Sequence, residues 1–89
     1  MNLDGSFYSQ EELGSFGFKS PGSNVLIKTN TTIISTENIS IGDNTRIDDF
    51  CVLTASKSLT IGSHGHICSH VIIRAHHDVN IGDFVNLGN

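Results

Sequence analysis

Three stretches decide the fold when written one under another: ISIGDNTRI at 39–47, LTIGSHGHI at 59–67 and VNIGDFVNL at 79–87. Ile41-Gly42, Ile61-Gly62 and Ile81-Gly82 recur every 20 residues, each two places after another aliphatic, Ile39, Leu59 or Val79. Six residues beyond each Ile-Gly come Ile47, Ile67 and Leu87, and six further on come Leu53 and Ile73. Moving back one period gives Pro21-Gly22, Ile27 and Ile33. Of 14 positions in this register, Pro21 alone is not Ile, Leu or Val, in a chain only 37% hydrophobic.

A spacing of six suits neither a helix nor a long amphipathic strand. It suits a short strand and a turn, repeated three times per coil, with two extra residues at one corner. The expected fold is therefore all-β: a parallel solenoid of triangular section, with about three and a half coils stacked at ~4.8 Å. Strand side chains alternate, so residues two places before the aliphatics should also point inward. Val25, Thr31, Thr45, Cys51, Gly65, Val71 and Val85 are small or β-branched, as a narrow interior requires.

In FYSQEELGSFGF, residues 7–18, Ser9 and Glu12 form a capping box, and Tyr8 with Leu13 has the spacing of a hydrophobic staple. A short helix from Gln10 to Phe16 should stop at Gly17. Tyr8, Leu13, Phe16 and Phe18 would then cover the first coil, whose open edge would otherwise invite strand addition. The chain divides into this capping segment, 1–20, and the solenoid, 21–89.

The aliphatic-Gly-x-x-small-x pattern over residues 21–89 resembles the hexapeptide repeat of left-handed β-helix proteins, most of which are acyltransferases. YSQEEL, GFKSPGSNVLI and ENISIGDNTRIDDFCVL are most similar to sugar O-acetyltransferases acting on cell-surface polysaccharides. The resemblance implies a left-handed solenoid, acetyl-CoA as acyl donor, a sugar hydroxyl or amine as acceptor, and a homotrimer. Members of the family usually continue for several more coils, so a C-terminally truncated member is expected. A non-catalytic assembly module descended from such an enzyme is the alternative.

All five histidines lie within residues 63–78. His64, His70 and His76 are six apart, at equivalent outer places on three different faces, so one ion cannot collect them within one chain. His64 and His66 share an outward parity but make only a pair. Gamma-type carbonic anhydrases of this fold hold zinc between chains with a His spacing absent here. No metal is expected.

In maltose- and galactoside-type acetyltransferases the general base follows a strand ending Thr-Ala-x-His. Arg74-Ala75-His76-His77 is similar, which makes His77 the candidate base and His76 its neighbour. Arg stands in place of Thr, and Val79 restarts the next coil where the family carries a long loop. In the polysaccharide group the base lies in later coils. Glu37, Lys57 and His77 also share one place in successive coils, so His77 has a second reading as the top of a polar ladder in which Lys57 pairs with Glu37.

Asp48 and Asp49 are expected on an outer turn. Cys51 falls on the inward and Cys68 on the outward parity, which suggests neither a disulfide nor a Cys-His nucleophile. The chain carries 5 Lys and Arg against 9 Asp and Glu, a formal charge of −4 without a basic stripe for nucleic acid or an anionic membrane. No apolar run approaches the ~20 residues that span a bilayer. A soluble, cytoplasmic protein is expected.

Overall fold

A computed structural model describes residues 6–88. One short helix, α1 (Gln10–Ser15), precedes ten short strands. These are β1 (Leu26–Ile27), β2 (Thr32–Ile34), β3 (Ile39–Ile41), β4 (Arg46–Ile47), β5 (Val52–Ala55), β6 (Leu59–Ile61), β7 (His66–Ile67), β8 (Ile72–Ala75), β9 (Val79–Ile81) and β10 (Asn86–Leu87). They form three parallel sheets, β1-β4-β7-β10, β2-β5-β8 and β3-β6-β9, one for each face of the solenoid. Every pair is in the 20-residue register: Ile27 lies against Ile47, Leu53 against Ile73, Ile41 against Ile61.

The aliphatic register is the core. Ile27, Ile39, Ile47, Leu53 and Leu59 have no exposed surface, and Ile67 keeps only 2%. Ile73, Val79, Ile81 and Leu87 in the outermost rung are half-buried, while Pro21 is exposed. The inward polar residues repeat a second rule. Thr31, Thr45 and Cys51 each donate to the carbonyl 17 residues on, at Asp48, Gly62 and Cys68. A small hydrogen-bonding side chain thus fits the tight interior and ties one coil to the next without leaving a buried donor unmatched. Burial pushes the Cys51 thiol up from its ordinary value. Both cysteines are free.

The Ile-Gly motif is explained at one corner. Its third residue, Asp43, Ser63 or Asp83, accepts from a backbone N–H of the coil below or its own coil's predecessor: Ser23 N to Asp43 Oδ1, Asp43 N to Ser63 Oγ, Ser63 N to Asp83 Oδ1, at 2.7–3.0 Å. The glycine before it lets that neighbouring coil approach. A β-carbon on Gly42 would stand 2.5 Å from Ser63 N. The next residue turns through left-handed backbone, with φ of 55–59° at Asn24, Asn44, His64 and Phe84. Asn and His are among the residues enriched there, and Phe is not. The His and Phe rings stack, His64 on Phe84 at 5.0 Å, and at the following corner His70 on Phe50 at 5.4 Å.

The two extra residues per coil lengthen a face instead of a corner. Ala55 and Ala75 extend β5 and β8 to four residues and are 1% exposed, a third inward position on that face. At the N-terminal end α1 carries both halves of the capping box, Ser9 Oγ accepting from Glu12 N and Glu12 Oε1 accepting from Ser9 N. Gly17 has φ +79°, as a helix stop requires. Leu13 and Phe18 are buried, and Tyr8 meets the ring of Phe16 edge-on at 4.8 Å.

Candidate functional site

The corner between the β2-β5-β8 and β3-β6-β9 faces carries three stacked turns. The lowest is the 3₁₀ turn Thr36–Asn38, then residues 56–58, then His76-His77-Asp78. The strands on either side hold these turns in register, so Glu37, Lys57 and His77 do stand one above another. Among the described residues no ion pair joins Lys57 to Glu37 within 4.0 Å, which removes the expected support for a purely structural ladder. Ser58 Oγ donates to Asp78 Oδ1 at 2.8 Å and Val79 N to Ser58 O at 2.9 Å, pinning the turn from below. His76 and His77 are exposed and make no hydrogen bond, ion pair or ring contact with other described residues. Their ring nitrogens are open to a ligand, and an imidazole is a side chain suited to general-base work.

The structure does not bring the five histidines together. His64 and His70 belong to the aromatic stacks of two other corners, and no group of three metal-ligating side chains occurs among the described residues. His66 has a role the sequence did not reveal. On the outer surface of β7 its Nε2 meets Asp48 Oδ2 at 2.8 Å, while Arg46 Nε donates to Asp48 Oδ1 at 2.7 Å. The pairing runs diagonally between rungs, from 48 to 66, and a reading by columns passes over it. Asp49 turns the other way, towards Lys28 Nζ at 4.0 Å.

Burial works to raise the Asp48 carboxyl, but the hydrogen bonds from His66 and Arg46 outweigh it and hold the group below the ordinary 3.8. A carboxyl with a depressed folded value adds stability above its unfolded value and loses it as pH falls through the folded one. Asp48→Asn should therefore lower stability near neutral pH, and the gap from wild type should close as acid passes below 3.8. Urea denaturation at a series of pH values measures it.

The β2-β5-β8 face beside the His77 corner carries exposed large apolar side chains among Thr32, Thr54 and Arg74. Ile34 is 54% exposed, Ile72 60%, and Phe50, at the leading corner, 56%.

No protein-family model matches the chain. A curated dTDP-4-amino-4,6-dideoxy-D-glucose acyltransferase of Escherichia coli is 37% identical over 83 residues, covering 92% of this chain and 43% of that protein. The solved structure of AntD, an N-acyltransferase from Bacillus cereus in complex with dTDP and 3-hydroxybutyryl-CoA, superposes with a TM-score of 0.86 at 46% identity, over 92% of this chain and 43% of that one. A point variant of AntD, in complex with dTDP-4-amino-4,6-dideoxyglucose and coenzyme A, gives a TM-score of 0.77 at 44% identity, over 89% of this chain and 45% of that one. The chain thus spans less than half the length of these relatives.

Proposed function

Because this chain belongs to the hexapeptide-repeat family of left-handed β-helix proteins, we propose that it forms part of an enzyme that transfers an acyl group from acyl-CoA to the amine of a nucleotide-linked amino sugar. One observation carries this reading: 46% identity over 92% of the chain to an N-acyltransferase holding dTDP and an acyl-CoA. Acetyl-CoA remains the simplest donor, and a sugar hydroxyl is the less favoured acceptor. The cytoplasm is the compartment the reading implies.

His77 is the base we assign, with His76 beside it. The acceptor nitrogen attacks the thioester carbonyl, His77 takes the proton released as the C–N bond forms, and the C–S bond then breaks to free CoA, whose sulfur recovers a proton. An exposed corner neither positions a substrate nor excludes water, so the site needs a second wall. The apolar face bordering that corner supports a trimer in which a neighbouring copy supplies it. A non-catalytic trimeric module is the second reading, favoured by the same apolar face, and differs only in lacking transfer.

The test is thiol release from acetyl-CoA or 3-hydroxybutyryl-CoA with dTDP-4-amino-4,6-dideoxyglucose, the protein sedimenting as a trimer. Loss of a general base should cost His77→Ala about 10²-fold in rate. A variant that transfers at the wild-type rate removes His77 from the role. Failure of coenzyme A to bind by calorimetry favours the module.

A further inference from the structure

A cleft of about 340 Å³ lies at the N-terminal end of the solenoid, between the capping segment and the first coil. Its volume falls within the range of small-molecule sites. Ile33 forms an apolar floor, and Tyr8 and Phe16, edge to face, form an aromatic wall. Glu37 stands among the lining residues, exposed, with no ion pair among the described residues.

The hydrogen-bonding inventory of this lining is one-sided. Tyr8 Oη donates to Thr29 O, the Thr31 hydroxyl to Asp48 O, and the Thr36 hydroxyl to Phe16 O. These three hydroxyl protons are therefore spent inside the protein; Tyr8 Oη and Thr36 Oγ1 keep lone pairs to offer, Thr31 Oγ1 already accepts from Cys51 N, and the Ser35 hydroxyl is a donor left in the lining. With the Glu37 carboxylate added, acceptors outnumber donors in the lining, where Ser35 supplies a free side-chain hydroxyl. A complementary occupant brings donors and positive charge, and presents an apolar face to Ile33. An ammonium group also gains from an aromatic wall.

From this we infer that the cleft is a binding site for a small hydroxylated primary amine in its ammonium form, an amino sugar, with the ammonium on Glu37. The site lies at the lower end of the same corner and apart from the acyl-transfer position, since Glu37 stands two rungs below His77, about 10 Å away. An ammonium held on a carboxylate has no lone pair for attack, so this position captures the amine without acylating it. The inference does not rest on the acyl-transfer reading, and either can fail alone.

Glucosamine and its neutral twin glucose are the probes, followed by amide chemical shifts of the labelled protein. Glucosamine should give saturable shifts at Tyr8 and at Ile33, Ser35, Thr36 and Glu37. Loss of the charge-assisted pair should weaken glucose about tenfold, and glucosamine on Glu37→Gln by a similar factor. Lys57→Ala, which removes the neighbouring competing ammonium, should bind at least as well as wild type. Equal binding of the two sugars, wild-type affinity in Glu37→Gln, or no saturable shift at these residues would overturn the assignment. Glu37→Gln is isosteric and exposed, and an unchanged spectrum away from the cleft verifies that it folds.

Discussion

Gly62→Ala should destabilise the protein by about 3 kcal/mol, the upper part of the usual overpacking range. The added β-carbon would stand 2.6 Å from the carbonyl carbon of Gly82 and 2.7 Å from Asp83 N. The Asp83 carboxylate, nearer still, could swing aside, but these two atoms could not. Both belong to the backbone of the coil above, and Gly62 N donates to Ile81 O at 2.7 Å, so the rungs cannot part without breaking that bond. Gly42→Ala meets the same obstacle in Ser63 and Gly62. The outer rung supplies an internal control, because a β-carbon on Gly82 meets nothing within 4 Å. Gly82→Ala should fold with nearly wild-type stability. Thermal or urea unfolding of the three variants measures the contrast, and equal loss at all three positions would contradict the stacking of coils through these glycines.

Leu53→Ala should be comparably damaging. Leu53 is fully buried in the middle rung, with Ile33 below and Ile73 above in register. Emptying such a site loses the transfer free energy of the side chain and leaves a cavity, together about 2–5 kcal/mol. The upper half is expected, since the hydrogen-bonded rungs on both sides limit collapse into the hole. Ile73→Ala, at a half-buried position, should cost clearly less. A solenoid contacts itself only between adjacent coils, so a weak middle rung also uncouples its neighbours. Leu53→Ala should therefore broaden the unfolding transition as well as shift it.

The aliphatic register was legible because each coil repeats the same demand on the same place, and a three-sided core admits Ile, Leu or Val there. The capping box was legible because Ser9 and Glu12 are three residues apart and act locally. Ala55 and Ala75 escaped notice because alanine is at home inside or outside, and no aliphatic marks the lengthened face. Left-handed backbone was signalled by Asn24, Asn44 and His64 sharing one column, types enriched there, and Phe84 alone gave no hint of it. The Asp48–His66 pair crosses rungs diagonally and depends on side-chain rotamers, which periodicity does not encode. The Lys57–Glu37 pairing failed for the converse reason: sharing a column brings two long exposed side chains near each other without holding them together. The base role proposed for His77 rests on a short motif, and an exposed corner would need a second wall to perform it.

Parallel stacking of each coil, in register, on the one 20 residues before it can be read from nuclear Overhauser contacts in the labelled protein. Backbone contacts are expected between Ile41 and Ile61, Leu53 and Ile73, and Ile47 and Ile67, with Thr45 methyl contacts to the core aliphatics. Contacts between residues three and four apart through 40–85, or antiparallel cross-strand contacts in place of the 20-residue pairs, would contradict it.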